Sequence, residues 1–591
     1  MTMTADEAGS KKTYPREYGS DVMVDAMQAY GLKYAAMNPG ATFRGLHDSI
    51  VNYGGNSPEL IECPHEKIAV SLAHGYAKAS GEPMAVILHN VVGLLQGTMG
   101  IYYAYVDRVP VIVFGGTGPM AYERRRPNID WIHTANVQGN VVRDYTKWDE
   151  QPTSIHSVHE AVARGYRVAV SEPAGPVYLT LDAGLQEDRL EEDIEPLDVS
   201  RYKVPSRIGP DPAALRELAE VLVAAERPIM VTGYAGRDPE AFHQLVELAE
   251  LLGIGVIDTN WRLNFPNRHP LNITESDALE TADVVLFVDV KDMGKPTQEL
   301  DKTTRRVTSQ IPADAKILDI GFHDIELSAW LHDFAQLHAT DVQVTADTVI
   351  ALPQLLDLCR ELEGREPQRR DAREARREEL GRIHDALWEG WRKTAEENWD
   401  ASPVSTPRFT SEVWEVIKDY DWVLTAGTVK NWALRIWDFD KPYRHPGREL
   451  GTATQISMSL GVALAHKGSG KLVVDLQPDG DLMFDPGALW VASYYKLPML
   501  VIMFNNRAYY NDWEHQERMA RARGTDLDLA YLGMEIDNPA PDFAAIAKAF
   551  GWYAEGPITD PDAVQDAVRR AAEYVTETGL PALVDVVCQY R

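Results

Sequence analysis

Short apolar runs alternate with amphipathic stretches along most of this chain of 591 residues. In the first third, for example, the runs PMAVILHN and PVIVFGG are separated by a stretch with helical spacing. Apolar runs of this length, bounded by glycine and proline, are typical of buried parallel strands, and the stretches between them are typical of crossover helices. The alternation therefore predicts α/β domains, each built on a doubly wound parallel sheet.

Two polar segments divide the alternating pattern into three blocks. The first is the acidic segment LQEDRLEEDIEPLDVSRYKVPSR, and the second is a charge-rich stretch with helical spacing that we interpret as a solvated connecting helix. A chain of this length is too long for one hydrophobic core. We predict a polar tail at 1–17, α/β domains at 18–190, 205–360 and 406–591, and a helical linker at 361–405.

The charge balance argues against one large class of partners. With 89 acidic and 58 basic residues, the formal net charge of -31 would repel a phosphate backbone, so we expect no nucleic-acid partner. The N-terminal segment has no apolar region typical of a secretion signal, and no apolar stretch is long enough to predict a membrane span. The few scattered cysteines, Cys63, Cys359 and Cys588, predict neither disulfides nor a zinc cluster. We expect a cytoplasmic protein.

The third block contains the sharpest chemical pattern. Its segment 473–506 begins with an apolar strand, turns at Asp479 and Gly480, continues through a helix and a second strand, and ends at Asn506. Because the carboxyl ends of neighbouring parallel strands meet at one edge of a sheet, we expect Asp479 and Asn506 to converge. Carboxylate and amide oxygens suit Mg²⁺, which completes its coordination with phosphate oxygens and water. The spacing predicts a site for magnesium and a diphosphate.

Here the sequence resembles the thiamine-diphosphate enzymes grouped around acetolactate synthase, pyruvate oxidase and benzoylformate decarboxylase. That family's signature is Gly-Asp-Gly followed, after a short run, by Asn-Asn, and this chain has PDG at 478–480 and NN at 505–506. The segment ECPHEKIAVSLAHGYAKASG resembles the one that carries the cofactor-activating glutamate, which would be Glu66. Further matches are NPGAT at 38–42, GPVYLTLDAG at 175–184 and GTVKNW at 427–432. The resemblance covers nearly the whole chain and implies pyrimidine-binding, central and diphosphate-binding domains.

The resemblance implies thiamine diphosphate and Mg²⁺ as cofactors. Glu66 would hydrogen-bond to the aminopyrimidine of the cofactor and activate it. Asp479, Asn506 and the backbone carbonyl of Ala508 would hold the metal. The other cofactor contacts would come from Gly40, Gly427, Thr428, Thr452, Gly480 and Asp481.

Four residues depart from the family pattern. Pro478 replaces the first glycine of the signature, and Asp481 stands where many relatives have a serine that touches the diphosphate. Val429 replaces a phosphate-contacting histidine, and Thr452 is small where the family has a bulky residue that supports the bent cofactor. These departures keep open an alternative, a catalytically silent paralogue with a role in regulation or assembly.

The resemblance also implies a substrate class and an assembly. We expect a carbon–carbon lyase or carboligase acting on a 2-keto acid or 2-hydroxy ketone; decarboxylase, carboligase and hydrolase stay open. His89 is a candidate proton carrier, with a structural histidine as the alternative. Candidate substrate contacts are Gln96, Tyr509 and Tyr510, and ordinary packing is the alternative for the tyrosines. In this family the cofactor bridges two chains, so we expect a homodimer or homotetramer.

The central block predicts no second cofactor. Asp289 and Lys291 stand where FAD-binding relatives usually have a glycine and an arginine. No Gly-x-Gly-x-x-Gly pattern follows a strand in this block. We therefore expect FAD to be absent and the central domain to be a structural spacer.

Overall fold

The computed structural model describes residues 14–326, 336–449 and 451–590. Most of the predicted polar tail, residues 1–13, lies outside this range. The chain divides into two compact units, Met1–Ser206 and Arg207–Arg591. In the described residues no helix is both long and apolar enough to cross a membrane.

The first unit is built on a six-stranded parallel sheet with the strand order β2-β1-β3-β4-β6-β5. Its strands are β1 Tyr34–Met37, β2 Glu59–Glu62, β3 Met84–Leu88, β4 Val111–Thr117, β5 Trp148–Glu150 and β6 Val177–Asp182. Its helices are α1 Gly19–Ala29, α2 Arg44–Asp48, α3 Glu66–Ser80, α4 Asn90–Val106, α5 Asp130–His133, α6 Val158–Val170 and α7 Ala183–Glu187.

The second unit contains two five-stranded parallel sheets, and the first of them has the order β13-β12-β9-β7-β8. Its strands are β7 Pro228–Thr232, β8 Gly255–Asp258, β9 Val284–Val288, β12 Lys316–Gly321 and β13 Val342–Thr345, and a separate hairpin pairs β10 Gln298–Leu300 with β11 Val307–Ser309. The helices of this part are α8 Pro212–Ala224, α9 Pro239–Leu252, α10 Gly294–Thr297, α11 Thr348–Glu363 and α12 Arg370–Glu396.

The last sheet has the order β14-β15-β16-β18-β17 and is also parallel. Its strands are β14 Trp422–Leu424, β15 Leu472–Pro478, β16 Leu500–Asn505, β17 Tyr553–Ile558 and β18 Ala582–Val587. Its helices are α13 Thr406–Ile417, α14 Trp432–Ile436, α15 Gln455–Ala465, α16 Asp479–Leu482, α17 Ala488–Tyr494, α18 Tyr510–Arg523, α19 Phe543–Ala549 and α20 Val564–Thr578.

The predicted fold class, three doubly wound parallel sheets, is confirmed. Strands such as β3 and β16 are buried along their whole length because helices cover both faces of each sheet. Proline and aspartate begin several helices: Asp211 caps α8 and Asp238 caps α9, each followed by proline at the first helical position. The boundaries of the three predicted domains stay a prediction.

The charge-rich linker forms the 27-residue helix α12, and part of it is docked on the protein. Arg373 is 3% exposed, and its guanidinium donates to the carbonyl of Val223. Arg376 donates to the carbonyls of Gly253 and Glu226, at 2.7 and 2.6 Å. These carbonyls lie at or beyond the ends of α8 and α9, where backbone acceptors lack helical partners. The interpretation of α12 as a purely solvated helix was therefore incomplete.

Candidate functional site

Two neighbouring strands of the last sheet bring Asp479 and Asn506 to the same edge. Strand β15 ends at Pro478 and β16 ends at Asn505, and the two strands pair in parallel with Pro478 opposite Phe504. Asp479 begins the short helix α16 directly after β15, and Asn506 directly follows β16. The sequence predicted this convergence from the positions of the two strand ends.

The carboxyl group of Asp479 is buried and incompletely bonded. Its Oδ1 accepts the backbone N–H of Gly480 at 2.9 Å, and the N–H groups of Arg507 and Ala508 also face the carboxylate. Its Oδ2 is buried and has no hydrogen-bond partner among the described residues. Burial raises the pKa of Asp479 to about 7, against the opposing effect of the backbone N–H groups that face the carboxylate. A cation beside Oδ2 would satisfy this atom and favour the charged form.

Asn506 and Ala508 form a turn at the strand end next to Asp479. The Oδ1 of Asn506 accepts the N–H of Ala508 at 3.0 Å, which closes a tight turn through Arg507 with φ of 57°. In the described part of the chain, no three His, Cys, Asp or Glu side chains cluster as metal ligands. A buried carboxylate with an amide at the neighbouring strand end suits an ion that keeps phosphate and water ligands, as Mg²⁺ does.

Gly480 gives the backbone room beside Tyr509. A Cβ atom at Gly480 would lie 2.6 Å from Cε1 of Tyr509, which is closer than real contacts allow. Tyr509 is 37% exposed, and burial and the neighbouring carboxyls of Asp479 and Asp481 raise its pKa. The ring of Tyr509 therefore packs on the Asp-Gly turn and still reaches solvent.

The carboxylate of Asp481 binds the start of helix α15. It accepts the backbone N–H groups of Ala453 and Gln455 and the side-chain amide of Gln477, the latter two at 3.2 Å. Backbone N–H groups at a helix N-terminus favour a negative charge. The negative charge of Asp481 therefore already has backbone and side-chain partners.

Gly427 and Thr428 follow β14 on the same sheet edge. A Cβ at Gly427 would lie 2.8 Å from Nε2 of Gln455 and 2.9 Å from the carbonyl oxygen of Leu476, so only glycine fits. Thr452 lies in the segment before α15, exposed and with φ of 50°. The structure shows no packing of Thr452 that would mark it as a support for a cofactor, and its role stays a prediction.

Sequence analysis missed a buried polar pair behind this edge. Asp475 is fully buried in β15, and its Oδ1 accepts the side-chain amide of Gln455 at 2.8 Å. Burial raises the pKa of Asp475 to about 7. An aspartate inside the apolar run VVDLQ was the available signal, since a charged residue in a buried strand needs partners.

In the first unit, Glu66 begins helix α3 and faces helix α4. The ring of His65 caps α3 by accepting the N–H of Lys67 at 3.0 Å. Glu66 is half-buried, and its Oε1 lies beside Gly93, where a Cβ would come within 3.1 Å. The absence of a side chain at position 93 therefore leaves room on α4 for the Glu66 carboxylate.

His89 lies at the end of β3 with both ring nitrogens engaged. Its Nδ1 lies 2.9 Å from the hydroxyl of Thr42, and its Nε2 accepts the side-chain amide of Asn90 at 3.1 Å. The Oδ1 of Asn90 accepts the N–H of Val92, so the amide N–H₂ of Asn90 faces His89, and the backbone N–H of Thr42 points at Nδ1 from 3.4 Å. Burial, followed by the charges of His133 and Arg126, lowers the pKa of His89.

Gly40 is placed against this histidine, whereas the other predicted contacts are more peripheral. A Cβ at Gly40 would lie 2.2 Å from the His89 ring, so the glycine permits this approach. Gln96 is exposed on α4. Tyr510 stacks on Tyr590 with ring centroids 4.9 Å apart, which favours the packing alternative for this residue.

Ion pairs fill the carboxyl edge of the central sheet. Asp289 is 1% exposed and pairs with Arg237, which also contacts Asp347 at 2.7 Å. Arg207 reaches the same Asp347 at 2.6 Å. A nucleotide cofactor at this edge would have to displace these buried pairs.

Two segments of the chain match known protein-domain families. Residues 18–140 match the family described as "Thiamine pyrophosphate enzyme, N-terminal TPP binding domain". Residues 425–586 match the family described as "Thiamine pyrophosphate enzyme, C-terminal TPP binding domain". The two matches contain Glu66 and the Asp479 site respectively.

Curated relatives extend over nearly the whole chain. The acetolactate synthase isozyme 3 large subunit of Escherichia coli is 24% identical, with 96% of this chain and 94% of the relative covered. The chloroplastic acetolactate synthase of Arabidopsis thaliana is 22% identical, with 98% and 82% covered. The crystal structure of benzoylformate decarboxylase from Polynucleobacter necessarius has a TM-score of 0.74 at 18% identity, covering 97% of this chain and 99% of that chain.

Proposed function

This chain belongs to the thiamine-diphosphate-dependent enzymes related to acetolactate synthase and benzoylformate decarboxylase, and we propose that it is a Mg²⁺-dependent lyase or carboligase. The proposed substrate is a 2-keto acid or a 2-hydroxy ketone. When bound, thiamine diphosphate supplies a nucleophilic carbon and an electron sink for breaking or forming a bond next to a carbonyl.

One observation carries the metal and cofactor proposal. The Oδ2 of Asp479 is buried and has no hydrogen-bond partner among the described residues, and Asn506 lies beside it at the end of the neighbouring strand. A buried carboxylate oxygen is costly to leave unbonded unless a cation is bound there. Asp479, Asn506 and the carbonyl of Ala508 are the proposed Mg²⁺ ligands, and Gly427, Thr428 and Gly480 are the proposed diphosphate contacts.

The residues of the first unit have separate proposed tasks. The Glu66 carboxylate, which lies beside Gly93 of α4, would hydrogen-bond to the aminopyrimidine of the cofactor. Burial lowers the pKa of His89, and the side-chain amide of Asn90 occupies its Nε2. We therefore propose that His89 first orients groups in the site, and its role as a proton carrier stays a prediction.

The alternative of a silent paralogue receives less support from the site. Asp481, one of the four departures, is bound by the backbone at the start of α15 and does not need to face the diphosphate. The buried carboxylate of Asp479 and the amide of Asn506 at the neighbouring strand end are both retained, as a working metal site requires. We propose no FAD site, because a flavin nucleotide would have to displace the buried ion pairs of Arg237 and Asp289.

A homodimer or homotetramer is part of the proposal. Helix α4 presents apolar side chains to solvent, with Leu95 59% exposed and Val92 38% exposed. Trp131 and Tyr122, in the segment after β4, are 78% and 84% exposed. Large contiguous apolar patches mark surfaces that bind another protein, and we propose that these side chains belong to such a surface. A second copy of the chain is the proposed partner.

We also propose a cytoplasmic location. Cys63, Cys359 and Cys588 are all free and buried. Free thiols without disulfides are typical of proteins that work in a reducing compartment.

The direct test of the reaction is a substrate screen with a matched variant. The purified protein, with thiamine diphosphate and Mg²⁺, is assayed for CO₂ release from small and aromatic 2-keto acids, and for acyloin formation when an aldehyde is added. Glu66→Gln keeps the size of the side chain, so we expect it to bind the cofactor while turnover falls at least about 100-fold. No turnover by the wild type, or full turnover by Glu66→Gln, would contradict the proposal.

A further inference from the structure

Three consecutive residues after Thr428 adopt left-handed backbone conformations without a glycine among them. The φ angles of Val429, Lys430 and Asn431 are 47°, 52° and 70°. The N–H of Trp432 bonds to the carbonyl of Val429, and the N–H of Ala433 bonds to the carbonyl of Thr428, both at 3.1 Å. Left-handed backbone is unfavourable for residues with a Cβ atom, and most of all for a β-branched residue such as valine. Other contacts must therefore hold this turn.

Glu275, from the segment that follows β8, makes some of those contacts, while Val429 packs on the core of the last sheet and Lys430 lies over the ring of Tyr510. Its Oε1 accepts the side-chain amide of Asn431 at 3.0 Å. Its Oε2 accepts from the guanidinium of Arg435, with Nε at 3.0 Å and a second nitrogen at 2.8 Å. The pair is partly shielded, since the side chains of Glu275 and Arg435 are 29% and 24% exposed. One carboxylate thus joins the last residue of the turn to the helix that follows it.

A second side chain from the same segment holds the other end of α14. The amide of Asn267 donates to the carbonyls of Leu434 and Trp437, at 2.7 and 2.9 Å, and its Oδ1 accepts the N–H of Phe439. With both of its ends bonded to the 260–275 segment, α14 has little freedom to move. A change in the turn at 429–431 cannot then be absorbed by a shift of α14.

We infer that Glu275 is a positioning residue that holds the strained 429–431 turn and thereby fixes Gly427 and Thr428 for the diphosphate. This inference rests on the proposed function, since the proposal assigns the diphosphate to Gly427 and Thr428. Glu275 contacts Asn431 and Arg435, which lie beyond these residues in the chain, and acts through them. The 260–275 segment would then help to order residues 427–431, the proposed diphosphate loop.

The first test measures the turn without any cofactor. Backbone hydrogen exchange is followed at Trp432 and Ala433 in the cofactor-free protein, because their N–H groups close the turn. Glu275→Ala should raise exchange at both amides, and Glu280→Ala, at an exposed glutamate of the same region, should not. Equal exchange in the two variants would overturn the inference.

The second test uses relief of strain as a rescue. With saturating Mg²⁺, Glu275→Ala should weaken the Kd for thiamine diphosphate about tenfold, as expected when a bond to a charged group is lost. Val429→Gly removes the Cβ that makes the turn unfavourable, so Glu275→Ala/Val429→Gly should bind within about threefold of Val429→Gly alone. A double variant that still loses the full factor would mean that Glu275 acts only through general stability and would overturn the inference.

The two tests also separate this inference from the proposed function. If the wild type binds no thiamine diphosphate, the proposed function fails and the positioning role fails with it, whatever the exchange data show. If the wild type binds the cofactor and Glu275→Ala matches Glu280→Ala in both measurements, only the inference fails.

Discussion

Oε1 of Glu66 lies so close to Gly93 that a Cβ at position 93 would come within 3.1 Å of it. We expect Gly93→Ala to displace the carboxylate by a few tenths of an ångström and to lower turnover about tenfold, because catalysis depends on placement. The helix itself should be as stable or up to about 1 kcal/mol more stable, since alanine is the better helix former.

The control for this variant is Gly390→Ala on α12, where no atom lies within 4 Å of the added Cβ. It should change helix stability in the same direction without changing turnover. Steady-state kinetics and thermal unfolding measure the two effects. Full turnover in Gly93→Ala would show that the direction of the Glu66 carboxylate is not critical.

Asp475 predicts a pH dependence of stability. Burial raises its pKa to about 7, so the folded protein keeps the proton between about pH 4 and pH 7, where the unfolded chain has lost it. The free energy of unfolding should fall across this window by up to about 1.4 kcal/mol per pH unit from this residue alone. Asp475→Asn cannot ionise, so its stability relative to the wild type should rise from pH 4 to 7 and then level off.

Denaturant unfolding at several pH values measures this difference. A difference between Asp475→Asn and the wild type that stays constant with pH would mean that Asp475 is ionised in the folded protein.

Arg376 predicts that α12 contributes to stability through its bonds to helix ends. Its guanidinium donates to the carbonyls of Gly253 and Glu226, and burial lowers its pKa to about 10. Arg376→Met keeps the apolar stem and removes the donors, so we expect a loss of roughly 2–3 kcal/mol in the free energy of unfolding. Arg382→Met, at an exposed position of the same helix, should cost less than about 0.5 kcal/mol. Equal losses in the two variants would contradict the docking role.

The exposed side chain of Leu95 places the proposed subunit interface on α4. Leu95→Glu places a charge on the exposed apolar face of α4, so we expect it to lower the mass measured by sedimentation equilibrium to that of smaller assemblies. Val204→Glu, at an apolar residue that is also exposed but lies outside α4, should leave the mass unchanged. A wild-type protein that sediments as a monomer would contradict the proposed homodimer or homotetramer.

The sheets could be predicted from the sequence because of how parallel strands are buried. A strand such as β3, Met84–Leu88, is covered on both faces and therefore appears as an uninterrupted apolar run. The neighbouring positions of Asp479 and Asn506 followed from the same rule, since ligands meet at the carboxyl edge of an open parallel sheet.

Other features depend on contacts that a single sequence does not show. The backbone N–H groups that bind Asp481 belong to Ala453 and Gln455, which precede it in the chain by 28 and 26 residues. The charge pattern of α12 does not distinguish a solvated arginine from Arg376, which binds helix ends. Both occupy polar positions of the helical pattern. The left-handed turn at Val429 has no glycine to signal it.

The central claim is that Asp479 is the protein ligand that couples metal binding to cofactor binding. Calorimetric titration of the cofactor-free protein with thiamine diphosphate, with and without Mg²⁺, tests this claim most directly when Asp479→Ala is measured beside the wild type. We predict Mg²⁺-dependent binding by the wild type and a loss of at least about 100-fold in affinity for Asp479→Ala, since one removed ligand leaves the metal poorly held. Equal, metal-independent binding by both proteins, or no binding by the wild type, would contradict the account.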